Sequence, residues 1–298
     1  MANNIALFKK YIDRLDLVYK QASLTSVLDG DSALARAGAS ANEIVIPKIS
    51  MDGLADYSRN GGYVNGSVNF DYETVKFNYD RGRSFTVDAM DNEETAGLAF
   101  GALASEFIRT KVVPELDAFR FATYANIDGI GEASANLSTG AAVLEALRSV
   151  LTAMDEAEVP ADQRYLFITP TLHGMVADLD SYKSKDALNS FAGVVKVPQS
   201  RFYTAIDLHD GTTSGEEAGG FQKAAAGKNI NFFVAHKPAL IQYSKHIVNK
   251  IFSPEINQEA DGWKFCYRSY GLADAYENKA AGLFIHTAAE EEEEGEGE

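Results

Sequence analysis

Residues with catalytic or ligand-binding potential occur in this sequence, but not at the spacings their chemistry needs. Asp128-Gly129-Ile130-Gly131 begins like a dinucleotide fingerprint, in which glycines let the backbone close on a pyrophosphate at a helix N-terminus. Ser134 stands where the third glycine should be, and the stretch follows a helical pattern rather than a strand. Gly220 to Lys228 ends in Gly-Lys, yet six residues separate its glycines instead of four, and Asn229 replaces the hydroxyl residue that would hold magnesium. His173, His209, His236, His246 and His286 never form an HxH or HExxH pair, so no metal cluster is expected. Cys266 stands alone and reads as a small buried hydrophobe. No GxSxG nucleophile turn is present. Asn65-Gly66-Ser67 and Asn136-Leu137-Ser138 match the glycosylation triplet, which has no meaning in a cytoplasmic protein. The sequence therefore predicts no catalytic residues, no cofactor and no metal.

Composition narrows the class. The 298 residues are 46% hydrophobic, enough for one or two sizeable cores. Lys and Arg number 27 against 43 Asp and Glu, a net charge of −16, which argues against a basic face that grips DNA, RNA or acidic lipid. A single cysteine suits a reducing compartment, no apolar run is long enough to span a bilayer, and the N-terminus lacks a signal-peptide pattern. The expectation is a protein made and retained in cytoplasm, with no membrane partner.

The elements that would position any functional residue fall in a definite order. In residues 1–20, Phe8, Tyr11, Ile12, Leu15, Val18 and Tyr19 share one side of a helix that must be covered by the chain's own core or by a neighbouring subunit. A small, polar link at 29–42 precedes a strand at 43–49, where Pro47 favours a sheet edge. Residues 51–89 alternate with period two. Asn65-Gly66 supplies a hairpin turn, and the apolar parity shift after Glu73-Thr74 implies a bulge or second turn. This ribbon, studded with Lys76, Arg81 and Arg83, has too little apolar surface to fold alone, so it projects from the body onto something else or stands as a solvated hairpin.

Asp91 to Asn126 then reads as one amphipathic helix, ~45–50 Å long at ~1.5 Å per residue, with a bend or break near Ile108 to Val113 because Pro114 lacks an N–H. Helix (141–157), strand (164–169) and helix (170–179) suggest an α/β layer. A Gly-rich excursion at 198–228 and strands at 229–235, 240–243, 246–252, 262–270 and 281–287 follow. Residues 290–298 are acidic and unable to bury surface.

This order of parts, including ALRSVLTAMDEAEVPADQRYLFITPTLHGMVADLD and GWKFCYRSYGLADAYENKAAGLFIHT, resembles the major capsid protein of tailed double-stranded DNA bacteriophages. Encapsulins share that shell fold. The resemblance implies an α+β fold with an N-arm (1–48), an extended β-hairpin loop (49–90), a peripheral domain with a long spine helix (91–127), and an α/β axial domain (128–246). Return strands of the peripheral domain (247–288) and a disordered acidic tail (289–298) complete it. It implies a non-enzymatic structural protein that self-assembles as hexamers and pentamers into an icosahedral head shell around packaged DNA, without specific DNA recognition. Assembly in the host bacterial cytoplasm, location in the virion, a separate scaffolding protein, a portal and possible decoration proteins are further implications. Phe8, Tyr11, Leu15, Tyr63, Lys76, Arg81 and Arg83 are the expected subunit-interface residues, the three cations meeting acidic patches of adjacent subunits. An encapsulin-like nanocompartment, a cytoplasmic α/β enzyme with a scattered site, and another virion component are the alternatives.

Overall fold

The computed structural model describes residues 23–30, 36–37, 43–94 and 98–289. The expectations for the N-terminal helix, with Phe8, Tyr11 and Leu15, and for the acidic end lie outside the described residues.

Helix α1 (Ala89–Glu94) is followed by α2 (Leu98–Phe107), a π-helical turn (Ile108–Val112) and α3 (Val113–Ala125). The predicted break sits in that turn. Val113 N–H donates to the carbonyl of Ile108, five residues back. An ordinary α-helix would offer residue 114 the carbonyl of Thr110, but Pro114 has no N–H to give, and the wider turn absorbs the mismatch.

The helical run serves two cores. Strands β4 (Tyr79–Asp88), β11 (Leu240–Phe252) and β12 (Gly262–Ala275) form an antiparallel sheet in the order β11-β12-β4. Ala104, Ile108, Val112, Val113 and Leu116 pack on its Tyr79, Phe265 and Tyr267. Alternation on β12 puts Phe265 and Tyr267 inward and leaves Arg268 exposed.

The second core surrounds a five-stranded sheet. It comprises β5 (Gly131–Ser134), β6 (Arg164–Ile168), β7 (Gly193–Lys196), β10 (Ile230–His236) and β13 (Leu283–Thr287), in the order β5-β13-β10-β6-β7. Helices α4 (Gly140–Glu156), α5 (Pro170–Ala177) and α6 (Tyr182–Asn189) are arranged around one face. Val143, Leu147, Val150 and Met154 of α4 meet Leu166, Ile168, Phe232 and Val234 of the sheet. The alternate residues Phe167, Phe233 and Ile285 face the other way, onto Phe121 and Tyr124 of α3. The sequence reading grouped the last strand with its predecessors, but β13 lies in this second sheet, antiparallel to β10 and parallel to β5. Its Leu283, Ile285 and His286 are buried, which a strand at the rim of the first sheet would not achieve.

Gly140 opens α4 tightly against α5. A Cβ there would stand 2.2 Å from the Met175 carbonyl oxygen, a backbone atom that cannot swing aside. Gly140→Ala is expected to cost about 1–3 kcal/mol, as overpacking does, read as a lower urea midpoint; an unchanged midpoint would show that the helices slide apart freely.

The ribbon consists of β1 (Arg36–Ala37), β2 (Glu43–Met51) and β3 (Val68–Lys76). Its register runs unbroken from Glu43 opposite Lys76 to Met51 opposite Val68, so the expected bulge near Glu73 is absent. The parity shift has another cause: near the body Ile44, Ile46 and Val75 turn inward onto Ile241 and Leu272, whereas farther out the apolar residues occupy the opposite face. The chain changes sheets at Phe77-Asn78, where the Asn78 amide both donates to and accepts from the backbone of Ala273. Asn65-Gly66 is not a two-residue turn either. It belongs to a loop spanning residues 52–67, closed by Asp52, whose carboxylate accepts from Ser67 N–H and Oγ. β1 reaches only Ile44 and Val45, so among the described residues Pro47 has a strand on the β3 side alone.

Candidate assembly surfaces

Residues directly opposite in an antiparallel pair share a face. Ile49 lies opposite Phe70, and Met51 opposite Val68, with Tyr72 two residues along. These five side chains form one apolar stripe and are 53%, 52%, 69%, 71% and 56% exposed, respectively. Phe70 and Tyr72 meet edge to face at 5.2 Å between ring centroids. Beyond the stripe, the loop carries exposed Leu54, Tyr57, Tyr63 and Val64, with the Tyr57 and Tyr63 rings 4.9 Å apart. A two-stranded ribbon with its apolar side in water is a poor arrangement for an isolated molecule, and contiguous exposed apolar surface marks a site of association. Tyr63 thus sits at the loop and Lys76 at the ribbon base, exposed.

Arg81 and Arg83 are placed elsewhere, on β4, and are engaged within the chain. Arg81 Nε donates to Glu115 on α3 at 2.7 Å, and its Nη2 reaches both Glu115 and the Gly220 carbonyl at 3.4 Å. Arg83 Nη2 donates to the Glu217 carbonyl at 2.9 Å. Between β4, the π-turn region and the excursion lies a cleft of about 560 Å³, walled by Phe85, Leu103, Phe107 and Tyr267 on one side and Gly219 and Gly220 on another.

A buried polar clasp holds the segment at 23–30 to α3, and the sequence reading missed it. The Asp117 carboxylate, wholly buried, accepts from Ser23 Oγ, Leu24 N–H, Thr25 N–H and Thr25 Oγ1, and from Arg201 Nη1 at 3.1 Å. Arg120 donates to Thr25 Oγ1, while Gln242 donates to the Thr25 carbonyl and Asp29 and accepts from Tyr124. Burial drives the Tyr124 hydroxyl far above its ordinary pKa, so it stays a donor. The available signal was an acid on the buried side of an amphipathic helix.

The chemistry-bearing residues remain apart. Among the described residues no group of three or more His, Cys, Asp and Glu is placed to hold a metal. The segment after Gly129 leads into strand β5 rather than a helix, and Gly131 packs against the Phe284 ring. Gly220 to Lys228 holds a short strand, β9 (Phe221–Lys223), paired with β8 (Ile206–Leu208).

Three histidines make stability pH-dependent. Burial lowers the proton affinity of His286, which stacks on Phe232, and of His236 and His173. The unfolded chain, with His near ~6.5, then binds more protons than the folded one. Their contribution is therefore complete above about pH 6.5 and is lost as pH falls below it. Asp274, raised by burial, acts with the opposite sign. Urea midpoints are expected to fall between pH 7.5 and 5.5, with a shallower fall in His286→Asn; equal slopes would remove His286 from the account.

No family model matches the chain, and no curated protein matches its sequence. Solved structures do. One from Gordonia phage Cozz aligns with a TM-score of 0.59 at 13% identity, over 91% of this chain and 87% of that one. The mature capsid of bacteriophage PhiM1 aligns at 0.54 and 13%, over 86% and 84%. A virus-like particle from Pyrococcus furiosus aligns at 0.54 and 12%, over 94% and 99%. The two sheets, the interrupted helix and the projecting ribbon are thus the α+β fold of tailed-phage major capsid proteins, shared with that archaeal particle.

Proposed function

We propose that this chain is the shell subunit of a phage head, assembling in many copies into an icosahedral capsid that encloses double-stranded DNA. The observation that carries the reading is the apolar stripe of Ile49, Met51, Val68, Phe70 and Tyr72, presented on an arm-like ribbon by a chain with a capsid fold. A shell subunit needs surfaces that only its neighbours satisfy. In this reading residues 1–48 act as N-arm, 49–90 as extended loop, 91–127 as spine helix, 128–246 together with β13 as the axial domain and 247–282 as return strands. The net charge of −16 supports packaged DNA held without tight binding to the wall. Scaffolding, portal and decoration proteins are the partners such a head requires, and the host cytoplasm is its assembly site.

A second reading is a protein-filled compartment, favoured by the alignment over 99% of the Pyrococcus furiosus particle's chain. Electron microscopy and mass measurement of the purified protein test the shell itself. Rings, sheets or closed particles are expected, and small oligomers under every condition would overturn both readings. Nucleic acid inside particles recovered from infected cells separates the head from the compartment.

A further inference from the structure

The excursion between β8 and β9 folds largely upon itself. His209 N–H donates to the Gly220 carbonyl and closes the loop. Asp210 accepts from Thr212 N–H, Thr213 N–H and Thr213 Oγ1, and the Glu216 carboxylate accepts from Asp210 N–H. Contacts to the body come from β4: Arg81 donates to the Gly220 carbonyl and Arg83 to that of Glu217. The loop is also shaped around Arg83. Gly211 and Gly219 have φ of 77° and 65°, and a Cβ on either would stand 2.8 and 3.2 Å, respectively, from Arg83 Nη1. Two left-handed glycines at one guanidinium leave room for that group and for no side chain of their own.

We propose that residues 209–220 form a latched lid over the cleft, with Arg83 as the latch. Closed, the lid forms a wall of the cleft with Gly219 and Gly220, opposite the aromatic side of Phe85 and Phe107. Released at Arg83, with Arg81 left only its long 3.4 Å contact to Gly220, the lid loses the support that steadies its internal hydrogen bonds and swings on the β8–β9 pair, widening the cleft. The lid rests on the shell reading for its purpose, but its latch is a property of the single chain.

Hydrogen exchange on the purified full-length protein tests it. Arg83→Ala is expected to speed exchange of the peptide covering 209–220 at least tenfold, with the five-stranded sheet unchanged and binding of a hydrophobic dye increased. Arg83→Lys, which keeps a cationic donor, should fall between. Exchange at the parent rate in Arg83→Ala would overturn the latch. Particle formation, scored separately by light scattering, reports on the shell reading: loss of the latch with normal particles refutes a gating purpose, whereas absent particles in the parent protein leave the exchange result standing and refute the shell.

Discussion

Phe70→Asp is expected to leave the subunit folded and to stop the proposed assembly. Phe70 lies in the middle of the exposed stripe, opposite Ile49 and beside Tyr72, on a ribbon half that no core among the described residues covers. Among the described residues no core includes its ring, so circular dichroism and the urea midpoint should match the parent. In a shell the ring is buried by a neighbour, and burying a Phe contributes about 1.5–3 kcal/mol, to which the desolvation of an unpaired carboxylate is added. Each contact then weakens on the order of 100-fold. Because every subunit repeats the contact, the concentration needed for particles rises by at least that factor. Asn69→Asp places the same charge on the opposite face of the strand and serves as control, with assembly retained. Particles of Phe70→Asp at parent concentrations would remove the stripe from the interface.

The second large effect concerns the fold. Asp117→Ala removes an acceptor that serves Ser23, Leu24, Thr25 and Arg201 at once, at a wholly buried position. Breaking a buried, hydrogen-bonded charge pair costs about 3–5 kcal/mol, because the partners left behind stay buried without their acceptor. At that size the melting temperature should drop by about 10 °C. Asp117→Asn keeps an oxygen acceptor and should lose less. A drop of under ~2 °C in Asp117→Ala would mean that the segment at 23–30 is held by Leu28 and its apolar neighbours instead.

Local chemistry was readable in the sequence and long-range pairing was not. Pro114 announced the break in the helix because a missing N–H acts within a few residues of itself. Leu147, Val150 and Met154 announced the buried side of α4 through their spacing alone. Val75 and Phe70 misled, because a parity shift records which face is covered at each point, and cover comes from Leu272 near the body but from none of the described residues farther out. Arg81 read as an interface cation because Glu115, its partner, is 34 residues away in sequence and on another element. Asp117 showed only as an acid on the buried side of a helix, and its partners were hidden for the same reason, with Thr25 92 residues distant. Asn65-Gly66 carried the right propensity for a turn but sat within a longer loop, whose closure was set by Asp52 and Ser67.

The helical run that crosses both cores has a mechanical consequence. Tyr79, at the start of β4, lies 4.8 Å from the Phe119 ring, and Phe119 packs against both cores. Two residues on, Phe121 stands among Phe167, Phe202 and Phe233. A pull on the ribbon therefore enters the body through the β3–β4 strand, crosses to α3 at Phe119 and is spread over the five-stranded sheet. Tension applied to the ribbon would travel through close-packed aromatic rings, which yield little, rather than through loops, which yield readily.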